Sequence, residues 1–85
     1  VGSKTFDGVW FIAYVHDHLP PHVHGKYAGI EVLIELLDDG VRIARRRDPI
    51  RPANAKRSHV TRILNTAGAY EAELKALWRI ANAAS

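Results

Sequence analysis

The chain has no cysteine among its 85 residues, which excludes disulfide staples and thiolate metal sites. It also lacks any apolar run near the roughly 20 residues that a membrane-spanning helix needs, and no signal-peptide pattern is visible. The expectation is a cytoplasmic protein with no membrane partner. Internal repeats and low-complexity segments are absent too. What is present, 47 % hydrophobic and 25 % charged residues, is the composition of a globular chain and not of a disordered one. A chain of 85 residues is expected to form a single domain, 1–85, with a modest core to which a dimer partner or a bound ion would add stability.

Net charge is +3, but it is unevenly placed. Residues 1–41 carry Lys4 and Lys26 against Asp7, Asp17, Glu31, Glu35, Asp38 and Asp39. Residues 42–62 carry Arg42, Arg45, Arg46, Arg47, Arg51, Lys56, Arg57 and Arg62 against Asp48 alone. A mildly acidic half is thus joined to a strongly basic middle. Such a segment is the footprint of a polyanion binder, and equally of a protein that pairs with an acidic partner.

Along the chain, Val1-Gly2-Ser3 carries no weight, and residues 1–8 are expected to be a leader outside the fold. Val9–Val15 is apolar, aromatic and β-branched, which favours a strand. Tyr27-Ala28-Gly29-Ile30 has the signature of a two-residue hairpin with Gly29 at positive φ. That turn sets His22 opposite Glu35, His24 opposite Leu33 and Lys26 opposite Glu31. One face then collects Val23, Tyr27, Ile30, Val32, Ile34 and Leu36, and the other the histidines and charges. This segregation supports the register, because a slip of one residue would exchange the faces. Asp38-Asp39-Gly40 signals a second hairpin. A type I′ turn at Asp39-Gly40 would set Ile43 opposite Leu36 and Arg46 opposite Leu33, with the strand running to Arg47. From Pro52 onward Val60, Ile63, Leu64, Ala67, Tyr70, Leu74, Leu77, Trp78 and Ala81 recur at helical spacing. Gly68 is a weak point in that stripe. The fold class expected is α+β: a four-stranded antiparallel meander sheet over 9–47, packed on one long C-terminal helix over 52–83.

The densest chemistry lies in His16-Asp17-His18-Leu19-Pro20-Pro21-His22-Val23-His24, which holds four of the five histidines. Imidazole titrates near neutral pH and is the commonest metal ligand. If Leu19-Pro20-Pro21 closed a direct hairpin, His18 would oppose His22 and His16 would oppose His24. The four imidazoles, with Glu35 beside His22, could then hold a divalent metal such as zinc. Two of these imidazoles, backed by Arg42 and Arg46, could serve as general acid and base in RNA cleavage. They could also simply brace the Pro-Pro turn. His59 is expected to be solvated, and Tyr70 and Trp78 to pack in the core. Arg42, Arg45, Arg46, Arg47, Arg51, Lys56 and Arg57 are the candidate phosphate contacts. Trp10, Ile12 and Tyr14 form an apolar patch beside the histidines that a partner could bury.

The run Asp17-His18-Leu19-Pro20-Pro21-His22-Val23-His24 resembles the Asp-His-x-Pro-Pro-His-x-His signature of a family of small prokaryotic proteins, the domain of unknown function 4160. Glu73-Leu74-Lys75-Ala76-Leu77-Trp78 is similar to that family's terminal Glu-Leu-x-x-x-Trp pattern. The resemblance carries the motif onto His18, Pro20, Pro21, His22 and His24. It leaves His16 outside, favouring three site histidines over four. It implies a bacterial protein of regulatory or toxin–antitoxin type that works through nucleic acid or a protein partner, as a homodimer or an operon-encoded hetero-complex. A binding module using the basic middle is the first expectation. A histidine-based or metal-assisted ribonuclease or hydrolase is the alternative, and the sequence does not decide whether the protein is an enzyme.

Overall fold

The computed structural model describes residues 2–15 and 19–83. It is an α+β fold in which an antiparallel sheet is backed by two C-terminal helices. The strands are β1 (Gly2–Phe6), β2 (Val9–Ala13), β3 (His22–Tyr27), β4 (Ile30–Leu37), β5 (Gly40–Ile43) and β6 (Ile50–Arg51); the helices are α1 (Arg57–Ala69) and α2 (Glu71–Asn82). Five strands run in the order β1-β2-β3-β4-β5, and β6 pairs with the β4 edge beside β5. None of the described helices is long and apolar enough to cross a membrane.

The sheet has two more strands than expected, and both arise from local turns. Asp7 and Gly8 take φ of 50° and 82°, the positive pair that a tight two-residue reversal needs. The turn returns the chain with Phe6 opposite Val9 and Gly2 opposite Ala13. Residues 2–6, expected in a leader, are therefore an edge strand. Phe6 anchors it by stacking on Tyr70, with ring centroids 4.3 Å apart. At the other end the β5 strand stops at Ile43 instead of reaching Arg47. Ala44 donates to the carbonyl of Leu33, and Leu33 donates to that of Pro49. The edge of β4 thus passes from β5 to β6, and Arg45–Asp48 forms an excursion between them.

The β3–β4 register is the expected one, from His22 opposite Glu35 to Tyr27 opposite Ile30. The other two expected registers are corrected. In the β4–β5 hairpin Leu37 faces Gly40 and Ile34 faces Ile43. The turn residues are Asp38 and Asp39, neither with positive φ, while Gly40 takes the positive value; a type I′ turn at Asp39-Gly40 is thereby excluded. Between β2 and β3, Ile12 faces His24 and Trp10 faces Lys26, so no direct hairpin closes at Leu19-Pro20-Pro21. Proline has no N–H to give to a ladder, and β3 begins only at His22, after both prolines. Both corrections are even in residue number, so the residues that remain in the ladder keep their expected faces.

The inner face carries Val9, Phe11, Val23, Val32 and Ile34, all without solvent exposure, against Ile63, Ala67, Leu74 and Leu77 of the helices. Gly25 lets α1 come close: a Cβ there would lie 2.6 Å from Ile63 Cγ2 and 3.1 Å from Phe11 Cε1. The expected single helix over 52–83 starts at Arg57 and is split at Tyr70 (φ −114°, ψ 29°), two residues past the suspected Gly68. Tyr70 is held to the β1–β2 turn by Phe6 stacking and by donation from its hydroxyl to Asp7 Oδ1 at 3.2 Å. Side-chain docking, not glycine flexibility, sets the break. The Asp7 carboxylate beside it raises the Tyr70 phenol pKa above the usual value.

Candidate functional site

The outer face of the sheet is built in transverse rows, because directly paired residues point to the same side. One row is Thr5, Trp10, Lys26, Glu31 and Arg51, on five neighbouring strand segments. The next is Ser3, Ile12, His24 and Leu33, and a third contains His22, Glu35 and Arg42. The histidine strand thus lies between Trp10 and Ile12 of β2 and Glu31, Leu33 and Glu35 of β4, with Arg42 and Arg51 one strand further out.

His22 is buried, at 3 % exposure, and its Nδ1 lies 3.0 Å from the carbonyl oxygen of Pro20. A carbonyl only accepts, so Nδ1 carries the proton in this contact. His24 Nδ1 similarly donates to Glu31 Oε2 at 3.0 Å. The two rings are 5.5 Å apart, and the Tyr14 ring meets His24 edge-on at 4.8 Å. Burial pushes the Glu31 carboxyl up, but the His24 hydrogen bond and the charges of His24, Lys26 and Arg51 outweigh it and hold its pKa below the usual carboxylate value. Glu31 therefore stays ionised.

Glu35 does not serve the histidines as expected. It faces His22 in the ladder, yet its buried carboxylate accepts from Arg42 Nε at 2.7 Å and from the Arg45 backbone N–H at 3.2 Å. A carboxylate buried to 5 % exposure needs such partners to remain charged. Of the proposed zinc ligands His18, His22, His24 and Glu35, the first lies outside the described residues, as do His16 and Asp17. Among the described residues no three groups stand together as a metal site. Arg42 holds Glu35 through its Nε, and Arg46 lies in the excursion instead of facing Leu33.

The rest of the basic middle stands in solvent. Arg45, Arg46, Arg47, Arg51, Lys56 and Arg57 are all exposed. Among the described residues none of them forms an ion pair; Arg51 Nε donates to the backbone carbonyl of Asp48 at 3.3 Å. The apolar patch is smaller than expected. Trp10 and Tyr14 are 45 % and 39 % exposed, but Ile12 is buried beneath the face at 5 %. His59, expected to be solvated, is half-buried with its ring against Tyr27 at 5.6 Å. Trp78 packs on the core as expected. The Trp10-to-Arg51 row was missed at the sequence level. The Lys26–Glu31 pairing was available from the hairpin, but the two-residue strand that brings up Arg51 has no periodicity to detect.

These features define a class: a small α+β protein whose antiparallel sheet is sealed by helices on one side and presents histidines, aromatics and charge on the other. Within that class the chain belongs to the family described as domain of unknown function 4160, whose model matches residues 8–79. No curated protein and no solved structure matches the chain.

Proposed function

We propose that the protein is a small cytoplasmic regulatory module that binds nucleic acid through Arg45, Arg46, Arg47, Arg51, Lys56 and Arg57. The observation that carries this reading is that these exposed cations enter no ion pair within the described fold. Of the carboxylates nearest to them in the sheet, Glu35 is bound to Arg42, and Glu31 is paired with His24 and Lys26 while also feeling the charge of Arg51. The start of α1 adds support. Its N-cap is Lys56, its first residue is Arg57, and its first turn has no acidic residue and no side-chain cap. Cations at the positive end of a helix forgo roughly 0.3–1 kcal/mol of favourable dipole interaction. A local rule broken without gain to the fold points to a demand from outside it. Phosphate contacts of this kind position a polyanion and confer no base specificity. The toxin–antitoxin setting belongs to the family resemblance and is part of the same proposal.

The test is titration of labelled RNA and DNA, single-stranded and duplex, from about 50 mM salt upward, where each neutralised phosphate contributes a slope of roughly −0.7 to −0.9 in log K against log salt. The expected result is binding that weakens steeply with salt, and a marked loss in affinity and slope for the triple substitution Arg45→Gln/Arg46→Gln/Arg47→Gln. No binding of any polyanion at the lowest salt overturns the proposal. The paired His22 and His24 rings keep an acid–base or metal-assisted ribonuclease as the second reading. RNA that stays intact in the same incubations, with and without chelator and in the His22→Ala/His24→Ala variant alike, eliminates it.

A further inference from the structure

We infer that the open face of the sheet is a stacking platform for single-stranded nucleic acid, with bases seated on Trp10 and Tyr14 and the backbone passing over Lys26 and Arg51. This rests on the polyanion reading above and narrows it to a class of nucleic acid and to a second, aromatic set of contacts.

Trp10 and Tyr14 take no part in the inner core, yet both are large and exposed. They follow one another at four-residue spacing along the β2 direction, about 13 Å apart at 3.3 Å per residue. The His24 ring stands between them on the neighbouring strand, against Tyr14. An isolated exposed aromatic needs no explanation; two on one sheet face, with an imidazole between, make a row of π-faces. The same face supplies the charge. Lys26 Nζ lies over the Trp10 ring, 5.5 Å from its centroid, so a cation already stands against one face of the ring that would hold a base. Across the row comes Arg51, and between Lys26 and Arg51 opens a shallow cleft of about 460 Å³. Glu31 is the acidic group of this row; it accepts from His24 at 3.0 Å and pairs with Lys26 at 3.7 Å.

The occupant follows from this alternation. An apolar protein surface laid here would bury Lys26, Glu31 and Arg51 at a desolvation cost. A duplex keeps its bases stacked inside and offers nothing to the rings. A single strand offers flat faces and phosphates together, and aromatic stacking with flanking cations is how sequence-tolerant sheet surfaces hold it.

The experiment compares labelled single-stranded RNA and DNA homopolymers with duplexes, for the full chain and for Trp10→Ala, Tyr14→Ala and Trp10→Phe. Circular dichroism melting of each variant confirms the fold. Loss of a stacked base is expected to weaken single-strand binding about 5- to 100-fold, with duplex affinity and salt slope unchanged and Trp10→Phe largely restored. In a Trp78→Phe background Trp10 is the remaining tryptophan, and its fluorescence should be quenched by single strands and not by duplex. Single-strand binding that is indifferent to Trp10→Ala overturns the platform while leaving the basic-segment reading intact. So does a dimer of this chain that Trp10→Ala dissociates with no change in nucleic-acid binding. Absence of all polyanion binding removes both readings.

Discussion

The two faces of the same sheet follow opposite rules. On the inner face every gap is filled: Phe11 and Val32 flank Gly25 in the ladder, and the missing side chain there admits Ile63 of α1. Its buried side chains are nearly all apolar, with the Thr66 hydroxyl bonded back to the Arg62 carbonyl, and stability comes from apolar area removed from water. On the outer face polar groups are arranged in compensated pairs, Glu31 with His24 and Lys26 and Glu35 with Arg42. Aromatic rings stay exposed beside them. The contrast teaches where selection for stability and for interaction act separately within one layer of backbone. Residues in the inner rows are fixed by volume; in the outer rows Ile12, His22, Leu33 and Glu35 are buried as well, while Trp10 and Arg51 stay exposed to a ligand.

Substitutions test that division. The largest effect belongs to the inner side: Leu74→Ala removes a side chain with no solvent exposure and should cost about 2–5 kcal/mol by urea unfolding. Trp10→Ala on the outer side should stay within about 1 kcal/mol despite the larger residue, and a cost equal to that of Leu74→Ala would erase the contrast. Next comes Gly25→Ala, whose methyl would meet Ile63 Cγ2 at 2.6 Å. Overpacking of this kind should lower stability by about 1–3 kcal/mol, with partial recovery in Gly25→Ala/Ile63→Val.

The smallest effect is electrostatic and lies on the outer face. The folded state lowers the Glu31 pKa, so the unfolded chain takes up this proton first as pH falls. The stabilisation is therefore complete above the ordinary carboxylate pKa and is lost as pH drops through the lower folded value. Wild type should exceed Glu31→Gln in stability at neutral pH by of order 0.5 kcal/mol, the range of partly exposed ion pairs. The difference should vanish in strong acid. A gap that persists unchanged through that range would show that Glu31 acts through packing and not through charge.

Much of this was legible in the residues themselves. Gly29 announced the β3–β4 hairpin, and from it His22, His24 and Lys26 were placed correctly opposite Glu35, Leu33 and Glu31. The spacing of Ile63, Ala67, Leu74 and Leu77 announced the helical face that closes the core. The site was less legible. Proximity of Glu35 to His22 in the ladder suggested a shared ligand set, but Arg42 captures the carboxylate from β5. Arg51 looked like one more cation of a charged run, and joins the Trp10 row only through β6.

The sequence by itself determined which residues face inward and which outward. Alternation has a period of two, and that assignment survives any even slip in register. Only the tertiary structure decided which outward residues stand side by side, because the slips of two and four residues that the turns impose leave the alternation unchanged. The same holds for the helix break at Tyr70, which depends on Phe6 and Asp7 more than sixty residues earlier. Patterning sets the faces; contacts between distant segments set the neighbours on them.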